Sequence, residues 1–344
     1  MPLWTDIVAP VEATAIARDE QYVIEQRKGS LARWLPNIFV PSDHVKFVAN
    51  ANILVDVARY RAFNAPPEIG KGAMPTSKSI DLPAISRNEP IDELTQKELG
   101  RLPDDQVAKS IAAAIRRNVQ AISMRQELTR GSVIETGKVV VDTDNFWIND
   151  DFGRNPALSI TAAALWSTAS VDRLSALNGW LDIYRTYNNG ANPGAIICST
   201  RAFTAFAAGT QFATLLANGA TRPALKAEVN AYADAAGLPP FEVYDRSVPV
   251  DGVNTKVLSD DRIFFAPEPV DPMGPDPSVL GATYWGLTVS AGFPSWNIEP
   301  AEQPGIVCGV YREERVGASV EVQGDALGEP VAQNANSTMA IKVL

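Results

Sequence analysis

Residues 103–130 carry the pattern that most limits what this chain can fold into. Pro103, Asp104 and Asp105 form a helix start, with proline in the first turn and negative charge at the positive end of the dipole. Val107, Ile111, Ile115, Val119 and Ile122 recur at helical spacing among Lys109, Arg116, Arg117 and Arg125. Arg130 suits the negative end, and Gly131 reads as the stop. At about 1.5 Å per residue the helix is roughly 40 Å long, which exceeds a typical domain helix. It reads as a spine.

The segments before the spine are of a different kind. Residues 10–28 read as a weakly amphipathic helix carrying Ile16, Tyr22 and Val23, and Trp34-Leu35-Pro36 closes it. Val45, Phe47, Ile53, Val55, Val57, Tyr60 and Phe63 alternate with polar residues, so 45–64 reads as strand. The stretch Asn64–Ser79 has no apolar period and is rich in Pro, Gly, Ser and Lys. The alternation resumes at Ile80, Leu82 and Ile85. A long arm of this kind buries little within its own subunit, and its functional reading is contact with a neighbouring chain.

After the spine, Val133–Val141 reads as a hairpin turning near Gly137, followed by a polar loop over 142–156. From about residue 160, alanine-rich helices alternate with short strands. Helices are expected at 170–187, 199–217 (capped by Ser199 or Thr200) and 222–236. Strands are expected at 194–198, 241–244 and 262–266. Residues 267–278 are proline-dense loop, and strands return at 306–310, 318–322 and 339–343. The class is α+β, with the 160–285 block inserted into an earlier domain.

Composition removes most alternatives. The 344 residues are 46% hydrophobic and 20% charged, values of a globular chain, and two domains are the soft expectation. No run of about 18 apolar residues is present, and the start lacks the basic and apolar regions of a signal peptide. Net charge is −10 and the pI about 4.8, so the chain has no general attraction for DNA or an anionic membrane. Two cysteines, Cys198 and Cys308, make neither a disulfide framework nor a zinc site. The single histidine, His44, reads as a turn residue, which leaves no Ser-His-Asp triad or two-His metal site.

Chemical motifs fail on context. Gly70-Lys71-Gly72 begins a dinucleotide fingerprint, but Pro75 holds the third glycine position and no helix follows. Asp142-Thr143-Asp144-Asn145 starts like a calcium loop, yet Trp147 and Gly153 occupy the glycine and glutamate positions. Asp151-Phe152-Gly153 lacks the rest of a kinase signature. The acid pairs Asp150-Asp151 and Asp260-Asp261 read as solvated loop faces. No catalytic residue, cofactor or metal ligand is assigned.

The order of parts carries a resemblance. Tyr60–Leu82 forms an extended loop, and Gly100-Arg101-Leu102-Pro103-Asp104-Asp105 leads into the spine. Gly194-Ala195-Ile196-Ile197-Cys198 leads into a helix with Phe203 and Phe206, and Leu258–Phe265 precedes a return strand. In this order the chain resembles the major capsid proteins of tailed phages, in the Hong Kong 97 capsid fold, and within it the lambda-type capsid protein E family. The resemblance implies an N-terminal arm at 1–49, an extended E-loop at 50–88 and an axial domain at 160–285. It implies a peripheral domain at 89–159 and 286–344.

The implied function is structural: pentamers and hexamers closing into an icosahedral shell, assembled in the host cytoplasm and retained in the virion. The implied partners are further copies of the chain, a separate scaffold protein, a portal, a decoration protein, and packaged DNA held without specific binding. The candidate contacts between subunits are basic residues of the loop, Arg59, Arg61, Lys71, Lys78 and Arg87, against acidic Glu89, Asp92, Glu93 and Glu98, with Arg116 and Arg117 on the spine. Two alternatives stay open: an encapsulin-type nanocompartment, and an α/β enzyme acting through acidic residues.

Overall fold

The spine helix is six residues longer at its C-terminal end than the sequence suggests, and the reason is a glycine serving a different purpose. In the computed structural model, which describes residues 3–27, 29–49, 60–61, 63, 76–99, 103–143, 146–215, 222–312 and 320–344, this helix spans Asp104–Thr136. Gly131 lies inside it. A Cβ there would sit 2.3 Å from the Val257 carbonyl oxygen, so glycine is needed for close approach, not for termination. The stop is Gly137, at φ +71, whose N–H donates to the Val133 carbonyl at 2.8 Å. Val133 and Ile134 are therefore buried helix residues, and the hairpin expected over Val133–Val141 begins after Gly137.

In chain order, α1 (Pro10–Glu25) starts with proline in its first turn and buries Ala13, Thr14, Ala17, Gln21 and Ile24 on one side. It ends three residues before the expected 28. A 3₁₀ turn capped by Ser30 leads into β1 (Asn37–Phe39). Strand β2 (His44–Ala49) pairs antiparallel with β3 (Thr76–Asp81), turning Val45, Phe47 and Ile80 inward. Of the rest of the strand expected over 45–64, Tyr60, Arg61 and Phe63 are exposed and outside any strand, and the other residues, with those up to 75, lie outside the described residues. Then follow β4 (Ala84–Ile91), α2 (Glu93–Leu99) and the spine, α3. The arm folds back on its own chain, with Trp4 N–H donating to the Val310 carbonyl at 2.8 Å.

Beyond the spine, β5 (Lys138–Thr143) and β6 (Phe146–Asp151) form a hairpin, so the polar segment read as loop contains a strand. Next come β7 (Ser159–Thr161), α4 (Arg173–Tyr187), β8 (Ala195–Cys198), α5 (Thr200–Ala207), α6 (Thr210–Leu215) and α7 (Lys226–Ala235). Strands β9 (Phe241–Val243), β10 (Ser247–Val250), β11 (Val253–Lys256), β12 (Arg262–Ala266), β13 (Gly281–Gly286), β14 (Val307–Arg312), β15 (Val320–Ala332) and β16 (Met339–Lys342) complete the chain.

The helix expected over 199–217 breaks at Ala208-Gly209. Buried Arg173 explains the break: its guanidinium donates to the carbonyls of Ala205 and Phe206, which close α5, and to those of Trp166 and Thr168. Helix α7 starts at Lys226 rather than 222, where Glu228 accepts from the Leu225 N–H at 2.7 Å and pairs with Arg222.

Two sheets organise these elements. In the first, β15 pairs with β14 over Val320–Asp325, with β4 over Val320–Leu327 and with β13 over Leu327–Ala332, and β1 adds in parallel beyond β13. Helix α3 lies across this sheet. Val107, Ile111, Ile115, Val119 and Ile122 are buried against α1, β14 and β15, as their spacing requires. Asn118 and Gln126 donate from the same side of the helix to the Val322 and Gly328 carbonyls at 2.8 and 2.7 Å. The second sheet has the order β7-β16-β12-β8-β9, packed with aromatics from α4 and α5: Trp180, Tyr184, Phe203 and Phe206. Residues 281–344 thus contribute strands to both sheets.

One buried ionic network ties α1, α3 and the first sheet together. Arg130 donates to Glu25 at 2.6 Å, to Asn37 at 2.7 Å and to Thr283 at 2.9 Å. Glu127 accepts from Tyr244 OH at 2.7 Å and from the Leu31 N–H at 2.9 Å, and Arg246 approaches it at 3.3 Å.

Candidate functional site

Strand β4 pairs only with β15 among the described residues, and its alternation divides its side chains. Ile85 and Ile91 pack toward the core beside α3, which puts Arg87 and Glu89 on that side too. Glu89 accepts from Arg117 Nε at 2.5 Å, an ion pair within one chain. Helix α2 follows directly. Asp92 accepts from the Thr95 N–H at 2.7 Å, and that bond holds its carboxyl below the usual carboxylate range. Asp92, Glu93 and Glu98 are exposed, and Leu94 is 67% exposed.

On that same side of β4, a groove of about 430 Å³ runs between α3 and the β10–β11 hairpin. It is lined by the basic residues Arg87, Arg117 and Arg125 and by the apolar Met124, Leu128 and Val250. Asp251 is an acidic residue on its rim. Neither Arg87 nor Arg125 has a carboxylate partner among the described residues.

The expected contact residues are thus dispersed. Arg87, Glu89 and Arg117 come together at the β4–α3 edge, Asp92 precedes α2, and Glu93 and Glu98 lie on it. Arg116 points the other way, toward Glu20 of α1 at 3.9 Å. Lys78 donates to the Asp151 carbonyl at 2.6 Å. Arg61 is exposed, and Arg59 and Lys71 lie outside the described residues. Arg125, which the sequence reading did not single out, lines the same groove. The spacing Arg117, Ala121, Met124, Leu128 marks a second, outward helix face and could have found it.

The remaining chemical residues are accounted for structurally. His44 opens β2 rather than sitting in a turn, with Nδ1 2.9 Å from Asp43. Cys198 and Cys308 are buried, and burial pushes both thiols up to about 12. Among the described residues no group of three or more His, Cys, Asp or Glu is arranged to hold a metal, and no helix is long and apolar enough to cross a membrane. Asp260 and Asp261 pair with Lys256 and Lys342 at 3.5 and 3.3 Å.

Asp150-Asp151 lies on a strand rather than a loop, and only Asp151 is exposed. Both are on β6; Asp151 pairs with Lys138 at 2.7 Å, whereas Asp150 lies against the buried carboxyl of Glu329. No donor reaches either oxygen of Glu329, so a hydrogen bond between the two acids requires one of them to keep its proton. Burial, then the Asp150 charge, pushes Glu329 up to about 9. Burial is also the largest cause raising Asp150.

No protein-family model matches the chain, and no curated protein sequence matches it. Solved structures do. A prophage protein of E. coli CFT073 described as a capsid protein superposes with a TM-score of 0.62 at 14% identity, over 96% of this chain and 97% of that one. A phage-related protein of Bordetella bronchiseptica RB50 gives 0.57 at 12% identity, over 98% and 97%. The procapsid of satellite phage P4 gives 0.52 at 10% identity, over 96% and 90%. The chain has the fold of phage capsid proteins, mixed helix and sheet as the order of parts implied. The likeness runs nearly end to end on both chains.

Proposed function

We propose that the chain is the major capsid protein of a tailed double-stranded DNA phage. Copies close as pentamers and hexamers into an icosahedral shell that encloses the genome. The observation that carries this reading is the match along almost the whole of both chains to the prophage capsid structure. In this reading residues 1–49 are the N-terminal arm and 50–88 the extended loop. Residues 160–285 form the axial domain, and 89–159 with 286–344 form the peripheral domain around α3.

The charge distribution supports it. Basic Arg59, Arg61, Lys71, Lys78 and Arg87 belong to one segment, and acidic Glu89, Asp92, Glu93 and Glu98 to the next. Each exposed pair contributes only about 0–1 kcal/mol. Repetition over a closed shell multiplies that small contribution, and weak single contacts let misplaced subunits leave. A net charge of −10 keeps the wall from gripping DNA, so packaging and release are not impeded. A separate scaffold protein, a portal and a decoration protein complete the particle, which forms in the host cytoplasm.

Electron microscopy of the purified protein, alone and co-expressed with an adjacent scaffold gene, tests this. Rings of five and six or closed shells are expected. Monodisperse monomers or dimers under both conditions would remove the reading. Protein cargo in place of nucleic acid in native particles would move it to an encapsulin-type compartment.

A further inference from the structure

We propose that helix α2 of one copy docks into the Arg87–Arg117–Arg125 groove of the next copy. The inference rests on the shell reading above and names the contact that would join neighbouring subunits.

Two uncovered surfaces of opposite charge lie on the same chain. Helix α2, with Asp92 just before it, presents Glu93 and Glu98 around an exposed Leu94. The groove is lined by three arginines and by the apolar Met124, Leu128 and Val250. Acid-and-leucine meets base-and-apolar in both respects. The dimensions also agree: α2, with 7 residues, is about 10 Å long, and the step from Arg117 to Arg125 spans about 12 Å.

Within one chain the two do not meet, because no residue of α2 lines the groove. Different patches on identical copies make a heterologous contact, the kind that closes into rings when the rotation allows. Arg87 and Arg125 offer donors that no carboxylate takes among the described residues, whereas Arg117 lines the groove already paired with Glu89. A nucleic-acid strand suits the site less well. The apolar lining formed by Met124, Leu128 and Val250 offers nothing to phosphate but suits Leu94.

The test is an engineered cysteine pair, Leu94→Cys with Ala121→Cys, in assembled particles. Both native thiols are buried, so the background is low. A short bis-maleimide should give a ladder of covalent dimers and higher multimers, absent from either single variant. Intact particles without a ladder would overturn this inference and leave the capsid reading standing. Wild-type protein that never forms rings or shells would remove both. Should the cysteine pair itself fail to assemble, charge reversal decides. Arg125→Glu should lower shell yield on the order of tenfold through like-charge contact, and adding Glu93→Arg and Glu98→Arg in the same chain should restore it. Shells formed equally well by Arg125→Glu alone would also overturn the docking.

Discussion

The guanidinium of Arg130 lies 2.6 Å from a carboxylate oxygen of Glu25, and neither side chain is more than 1% exposed. Glu127 and Arg246 extend the pair to two acids and two bases around Tyr244 and Asn37. Burial raises the Glu25 carboxyl, Arg130 opposes that, and Glu127 adds to it. Removing the central cation leaves two buried acids facing each other. Arg130→Met should cost about 3–5 kcal/mol, read as a lower urea midpoint at pH 7. Adding Glu25→Gln should recover part of the loss. An unchanged midpoint in the single variant would mean the network does not hold α1 to α3.

Glu329 is raised in the same direction as Glu25, by burial first. Its folded value is about 9, against about 4.3 for an unperturbed glutamate. Between those values the folded chain binds the extra proton, so its stability falls as pH rises across the window. Glu329→Gln removes the titration and should be more stable than wild type at pH 8–9. The two should converge below about pH 4, where the carboxyl is protonated in both folded and unfolded chains. Thermal melts at four or five pH values would read this, and parallel profiles for the two proteins would refute it.

How legible these features were follows from how local they are. The apolar stripe of α3 was readable because helical periodicity is a property of consecutive residues, and Val107 to Ile122 are all buried as spaced. Arg130 was read as a dipole-end residue because its partners, Glu25 and Asn37, come from segments far away in sequence. Asp150 was read as solvated because Glu329 reaches it only through the tertiary fold. The groove was half readable: Arg87 and Arg117 stood out by charge, while its far wall comes from β10, and only folding brings that strand beside α3. Gly131 carried the ordinary signature of a helix stop, and a close contact with Val257 leaves the same one-letter mark.

That glycine decides between two effects of opposite sign. Alanine at 131 gains about 1 kcal/mol of helix propensity. It also sets a Cβ 2.3 Å from the Val257 carbonyl oxygen and 2.7 Å from Val257 Cγ1. A backbone atom cannot step aside as a flexible side chain would, and overpacking costs about 1–3 kcal/mol. Gly131→Ala should therefore be destabilising by denaturant titration, whereas Gly179→Ala, with nothing within 4 Å, should be neutral or stabilising.

The two cysteines make a probe of native packing. Burial pushes both thiols up to about 12, so almost no thiolate is present at pH 8. An aromatic disulfide reagent should find no reactive thiol in the folded protein and two per chain after unfolding in guanidinium. Rapid reaction of one thiol in the native state would place Cys198 or Cys308 at a surface.

Shell formation and folding should separate at the extended loop. The β2–β3 ladder runs from His44–Asp81 to Ala49–Thr76, and its inward residues Val45, Phe47 and Ile80 belong to the central core. A deletion of residues 66–75 stops just before Thr76 and leaves every one of those pairs in place. Shortening the connection changes its closure entropy only slightly, since each halving is worth about 0.6 kcal/mol. The melting temperature should therefore stay within a few degrees of wild type. If the loop reaches across to a neighbour, the same deletion removes one contact from every subunit of a closed shell. Sedimentation and electron microscopy should then find folded monomers or isolated rings and no closed particles. Normal shells from this variant would remove residues 66–75 from the subunit contact and leave the α2 groove to carry it alone.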